Sequence, residues 1–186
     1  MPGRRLKIVI SGGSHSGKTT LLQALAAMGY KTIPEAAMLV IEDLNRRLGI
    51  EGQSQWRQAH PADFQSMVAD RQLRLEASLE DAADSPVFLD RGLLDGLAYC
   101  EFRHIAAPPV LTSVSLHERY SHVFVLATII PYESRSETGR TGTGAASQTI
   151  GQLIFQTYAA YGYTPRWVEQ MPVQERAAFI LQQLDG

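Results

Sequence analysis

The chain has 186 residues, 45% of them apolar, with 17 basic and 19 acidic side chains and a formal net charge of −2. That length buries one sizeable core, so a single domain over residues 1–186 is expected, and a near balance of charge without a long block of either sign excludes nucleic acid as the default partner. The lone cysteine, Cys100, excludes an internal disulfide and a Cys-rich zinc site, and suits a reducing compartment.

Arg4-Arg5 precedes the apolar run Leu6 to Ile10, but the run stops at Ser11-Gly12-Gly13 without the longer apolar core of an export signal, so a cytoplasmic protein is expected. No stretch approaches the roughly 18 continuous apolar residues of a membrane helix, and no membrane partner is expected. Lys7 to Ile10 reads as a strand, and Lys18 to Met28, with Leu21, Leu22 and Leu25 at helical spacing, as a helix ending at Gly29. Tyr30 to Ile33 reads as a second strand. Ala37, Val40, Ile41, Leu44 and Leu48 form the stripe of a helix that Gly49 stops, and Gly52 to His60, with Trp56 inside it, reads as a polar connection. A long helix begins near Pro61, carries Phe64, Met67, Val68, Leu75 and Leu79, and runs to about Asp84-Ser85-Pro86.

Val87 to Leu89, finishing at Asp90, and His122 to Ala127 are continuous apolar runs of the kind found in central strands of a parallel sheet, with a helix between them starting near Gly92. Residues 131–149, dense in Gly, Ser and Thr from 133 onward, read as a connection with the composition of a lid. Ile150, Leu153, Ile154, Tyr158 and Tyr161 mark a helix, Arg166 to Val168 a last strand, and Val173, Ala177, Ile180, Leu181 and Leu184 a closing helix. Strands alternating with helices predict an α/β fold with a doubly wound, mostly parallel sheet and helices on both faces, whose ligands bind at the carboxyl ends of the strands.

Gly12-Gly13-Ser14-His15-Ser16-Gly17-Lys18-Thr19 fits G-x-x-x-x-G-K-[ST] and lies between a strand and a helix, as its mechanism requires. Glycines let successive N–H groups of Gly12 to Thr20 turn toward phosphate oxygens, and the helix that follows adds its positive end. Lys18 reaches the β- and γ-phosphates and the Thr19 hydroxyl ligates Mg²⁺; His15 occupies a variable slot and is assigned proximity only. Asn45 is the sole asparagine and precedes Arg46, so no Asn-Lys-x-Asp segment for guanine exists and ATP is the expected nucleotide.

Asp90 should emerge at the ligand edge of the sheet, where a carboxylate holds Mg²⁺ through water or takes a proton from an acceptor hydroxyl. Arg91 beside it pairs with phosphate or an acidic substrate. Glu35, after the second strand, is a second candidate for the base or for gripping an acceptor hydroxyl, or else an acid placed where the helix dipole favours it. Asp95 and Tyr99, four apart on one helix face, either line an acceptor pocket or face solvent and core. Arg140 and Arg135 sit in the lid-like segment, with Arg140 preferred as the arginine that closes over phosphate. Arg71 reads as a surface residue.

In this order the P-loop, Pro34-Glu35-Ala36-Ala37, Asp90-Arg91-Gly92-Leu93 with Asp95 and Tyr99, the strand at Val123 to Leu126, Tyr158-x-x-Tyr161-Gly162-Tyr163 and Glu175-Arg176 resemble the small AAA-type ATPases related to the kinase domain of NadR, the nicotinamide riboside kinase. The chain also looks similar to deoxynucleoside and thymidylate kinases. The resemblance implies a P-loop NTPase fold of about five strands, ATP and Mg²⁺ as cofactors, Lys18 and Thr19 at ATP and Mg²⁺, Asp90 as base or metal-side carboxylate, Arg91 for phosphate or acceptor, and Arg140 as lid arginine. Two positions depart from the pattern: Met38 stands where relatives carry an arginine, and no aspartate precedes the lid arginine. The leading expectation is a kinase that moves the ATP γ-phosphoryl to a small nucleoside- or nucleotide-like acceptor, with self-association left open. The alternatives are a nucleotide-dependent switch and an ATPase working with a protein partner.

Overall fold

A computed structural model describes residues 6–79, 85–129 and 144–184. Strand β1 (Lys7–Gly12) leads to helix α1 (Lys18–Ala27), followed by β2 (Lys31–Ile33), α2 (Ala36–Ala59), α3 (Pro61–Ala77), β3 (Val87–Asp90), α4 (Leu93–Phe102), α5 (Pro109–Ser113), β4 (His122–Leu126), α6 (Gly144–Ala160), β5 (Arg166–Val168) and α7 (Val173–Gln182). The five strands are all parallel, in the order β2-β3-β1-β4-β5. The register sets Ile10 beside Asp90 on one side and Gly12 beside Leu126 on the other.

Alternation along the strands divides the core into two layers, because successive side chains leave a strand on opposite faces. Val9, Leu89, Val123 and Val125 pack under α3 to α6, with Leu93, Leu94, Ile150, Ile154 and Tyr158. Ile8, Ile10, Phe88, Phe124 and Leu126 pack under α1 and α7, with Leu21, Leu25, Ala177 and Ile180. The connection leaving β1 crosses to the β3 side and the later strands build on the β4 side. The carboxyl end of β1 is therefore the switch point of the sheet, where a crevice opens.

Several local expectations are corrected. Gly49 does break the helix (φ 73, ψ 171), but a second helical stretch follows the kink at once and runs to Ala59, so Gly52 to Ala59 is helical rather than a connection, with Gln53 buried. Trp56 in that second half stacks on His60 and packs with Val40, Leu44 and Phe64 in a small cluster between α2 and α3. The long helix from Pro61 ends at Ala77, short of Asp84. Its inward face carries Gln65, Ala69, Gln72 and Glu76 beside Phe64, whereas Met67, Val68 and Leu75 are only partly buried. Residues 144–149 of the expected connection already belong to α6. The short α5 has no counterpart in the sequence reading. Arg71 is half-buried and ties α3 to α2 through Asp43. Arg4-Arg5, and the lid stretch up to residue 143 with Arg135 and Arg140, lie outside the described residues. Among the described residues no helix is long and apolar enough to cross a membrane.

Candidate functional site: the phosphate loop and its adjoining cavity

Residues Gly12 to Gly17 leave β1 at the switch point and enter α1 through Gly17, whose left-handed backbone (φ 80) caps the helix. Ser16 and Lys18 are buried, Ser14 and His15 half-buried, and Thr19 and Thr20 are exposed in the first turn of α1. Each carbonyl on the outer side of the loop has a donor. Gly12 O accepts from Lys18 Nζ at 3.1 Å and Arg91 Nη1 at 2.9 Å. Gly13 O accepts from Lys18 Nζ at 2.7 Å and Ser16 Oγ at 3.0 Å. Ser14 O accepts from Ser147 Oγ at 2.5 Å, His15 O from the Ile129 N–H at 3.1 Å, and Ser16 O from Arg176 Nη1 at 2.9 Å. A planar trans peptide points its C=O and N–H in opposite directions, so fixing these carbonyls turns the following N–H groups to the other side of the loop. N–H groups so turned at a helix N-terminus form the kind of concavity that can receive an anion.

Gly13 is required by close approach: a Cβ there would come within 2.8 Å of the Ser147 carbonyl carbon and closer still to its oxygen atoms. Gly13→Ala is therefore expected to force the loop and α6 apart, costing about 1–3 kcal/mol in urea unfolding, with weakened nucleotide binding in the same preparation.

Asp90 ends β3 at the same edge and Arg91 follows it, both buried. Arg91 has a left-handed backbone (φ 72), unfavourable for a side chain with a Cβ, and its surroundings impose it. Its N–H donates to Ile10 O at 3.0 Å and its carbonyl accepts from Gln72 Nε2 at 3.4 Å. The guanidinium donates from Nε to Glu35 Oε1 at 3.2 Å and from Nη1 to Asp95 Oδ1 at 3.1 Å, and lies 5.2 Å from the centre of the Tyr99 ring. Burial alone would lower its pKa, yet Tyr99, Glu35, Asp95 and Asp90 together raise it well above the usual value.

Asp95 is the hub of this arrangement. Oδ1 accepts from Ser11 Oγ and Arg91, and Oδ2 accepts from the Gly92 N–H at 3.1 Å and Tyr158 Oη at 2.8 Å. Burial and the Asp95 carboxylate push the Tyr158 hydroxyl well above its usual pKa, which keeps it a donor. Behind it, the fully buried Glu76 accepts from Gln72, Tyr120 Oη and Arg119, and Tyr120 Oη in turn accepts the Leu93 N–H at 2.8 Å. This second carboxylate braces the turn after Arg91.

A cavity of about 290 Å³ adjoins the loop. Its wall includes Ser14 of the phosphate loop, Arg91, which donates to Gly12 O, and Glu35, together with Phe64, Gln65 and Tyr99. Of the sequence candidates, Glu35, Arg91, Asp95 and Tyr99 meet in this wall, whereas Asp90 is not part of it. Gln65 was missed. It is 94% buried by its 6% exposure, lines the cavity, and none of its amide atoms is hydrogen-bonded to a described residue. Gln72, Glu76, Ser147 and Arg176 were likewise not singled out for roles at the site. The spacing 65, 69, 72, 76 was a visible signal, a helical face with two glutamines and a glutamate that an apolar-stripe search passes over.

Comparison with known proteins bears on the fold and the family. No curated protein matches the sequence. Among solved structures, deoxyadenosine kinase from M. mycoides with bound dCTP superposes with a TM-score of 0.64 at 16% identity, covering 97% of this chain and 99% of that one. Thymidylate kinase from Candida albicans superposes with a TM-score of 0.59 at 14% identity, covering 98% of this chain and 92% of that one. Likeness at such identities establishes the shared P-loop kinase fold. The family model described as AAA domain matches residues 7–176, from the first residue of β1 into α7. The chain belongs to that AAA domain family.

Proposed function

We propose that this chain is an ATP-dependent kinase that moves the γ-phosphoryl of Mg·ATP to a hydroxyl or phosphate group of a nucleoside- or nucleotide-like acceptor. The observation that carries the reading is the adjacency of two compartments: Ser14 belongs both to the phosphate loop and to the cavity wall, which Glu35 and Arg91 share. A donor phosphate on the loop and an acceptor group in the cavity would be brought together along that shared wall, and such positioning is most of what phosphoryl transfer asks of a protein.

In this reading the N–H groups of Gly12 to Thr20 and the Lys18 ammonium hold the phosphates. The half-buried Glu35 carboxylate in the cavity wall suits it to receive the proton of an acceptor hydroxyl. Arg91 steadies phosphate or acceptor, and Arg140 serves as the lid arginine. The rings of Phe64 and Tyr99 and the amide of Gln65, with one donor and one acceptor end, suit a flat polar ring such as a nucleobase. Thr19 and Asp90 would hold Mg²⁺. Among the described residues no three His, Cys, Asp or Glu side chains gather into a cage, so one hydroxyl and one carboxylate fit an ion that arrives with the phosphates. When bound, that ion neutralises charge on the β- and γ-phosphates.

ADP release from Mg·ATP, alone and with a panel of nucleosides, nucleotides and amino sugars, tests the proposal. Acceptor-dependent ADP that disappears in Lys18→Ala is expected. Tight ATP binding that no acceptor converts to turnover would sink the kinase reading and favour a nucleotide-dependent switch.

A further inference from the structure

Two of the donors that hold the outer side of the phosphate loop are neutral, Ser147 Oγ on Ser14 O and the Ile129 N–H on His15 O. The donor on the next carbonyl is a buried arginine from α7. Arg176 is 8% exposed; its Nη1 donates to Ser16 O at 2.9 Å and its Nε to Met171 O at 2.8 Å. The guanidinium lies against the loop itself, since a Cβ on Gly17 would stand 2.7 Å from Nη1. The two preceding carbonyls are braced by neutral groups, so a cation on Ser16 O is more than bracing alone requires.

Among the described residues no carboxylate compensates the charge of Arg176. Arg91, equally buried, sits between Glu35 and Asp95. Arg176 forms no ion pair among the described residues, and burial alone pulls its pKa below the usual arginine value. Removing a cation from water without a counter-ion is unfavourable, and the cost falls when an anion comes near. The anion that the geometry brings near is on the opposite side of the Ser16–Gly17 peptide.

We propose that Arg176 is a positioning residue of the phosphate site: it holds the Ser16–Gly17 peptide with its N–H turned into the loop, and sets a buried positive charge behind that peptide which favours polyphosphate. The inference rests on reading residues 12–20 as a phosphate loop. Its contribution to binding grows with the charge of the ligand and shrinks as salt rises, whereas a brace that only shapes the loop affects every ligand alike.

The test is the affinity of the whole chain for ATP, ADP, AMP and inorganic tripolyphosphate, by calorimetry or by competition against a fluorescent ATP analogue. The unaltered protein is compared with Arg176→Met, Arg176→Gln and Arg176→Lys. Arg176→Met is expected to weaken ATP and tripolyphosphate about ten- to a hundredfold, the range of one hydrogen bond from a charged group, ADP less and AMP least. The ratio between parent and variant should narrow as salt is raised. Arg176→Gln keeps a donor for Ser16 O without the charge, so it should show the same grading and carries the test if the methionine variant does not fold. Arg176→Lys should retain most of the preference for polyphosphate. An equal loss for all four ligands, or no loss for ATP in a variant with the parent's unfolding midpoint, overturns the inference. Failure of the unaltered protein to bind ATP overturns the phosphate-loop reading itself, so the two failures are told apart.

Discussion

Arg91→Met is expected to lower the free energy of unfolding by about 3–5 kcal/mol and to abolish acceptor-dependent ADP release. The methionine fills much of the same volume but strands Glu35 and Asp95, whose side chains are 11% and 4% exposed, without the cation that lies between them. It also removes the donor to Gly12 O, so β1 and the phosphate loop lose their tie to the end of β3. The left-handed backbone at residue 91 persists only while its surroundings enforce it, and strain of that kind is worth on the order of 1–3 kcal/mol. Urea denaturation followed by circular dichroism measures the loss. Glu35→Gln made in the same chain neutralises one of the stranded carboxylates and should recover part of it, a coupling that a double-mutant cycle reports directly. A single variant with the parent's midpoint and slope would show that the Arg91 cluster carries little of the stability.

Glu35→Gln alone is expected to leave ATP binding unchanged and to lower acceptor-dependent turnover by about 10²–10⁴-fold, the range of a positioned general base. Glu35 lies in the cavity wall immediately before α2, whereas Asp90, the last residue of β3, is outside that wall. The two carboxylates therefore separate by readout. Asp90→Asn should raise the Mg²⁺ concentration needed for half-maximal turnover, and Glu35→Gln should not. Single-turnover measurements at saturating ATP across a Mg²⁺ series decide between them, and an Asp90 variant with an unchanged Mg²⁺ profile would count against its metal-side role.

The phosphate loop was legible because its chemistry is local: eight consecutive residues specify the turn, the lysine and the hydroxyl, and Lys7 to Ile10 identifies the strand that feeds it. The parallel sheet was legible for a similar reason. Val87 to Leu89 and Val123 to Ala127 are apolar at every position, as strands covered on both faces must be, and they supply β3 and β4 on either side of β1. Local signals failed where a tertiary contact reversed them. Gly49 and the polar run after it satisfy every rule for a helix end, yet the helix resumes and Trp56 docks against α3. On α3, the apolar residues Met67 and Val68 are partly buried while Gln65, Gln72 and Glu76 are buried, because hydrogen bonds and a cavity make that face suitable for polar groups.

By itself, then, the sequence determined the order of the strands and of the helices other than α5 and the second half of α2, the phosphate loop, and the appearance of Glu35, Asp90 and Arg91 at the ends of strands that finish at one edge. Each of these depends on residues within a turn or a strand of one another, where periodicity and backbone sterics act. Only the tertiary structure decided that Arg91 lies between Glu35 and Asp95, that Gln65 lines a cavity beside Ser14, and that Ser147 and Arg176 hold the carbonyls of a loop more than 130 residues earlier in the chain. Partners so far apart in sequence leave no spacing to read, and the energies that select them, burial of charge and satisfaction of buried carbonyls, exist only once the layers have closed.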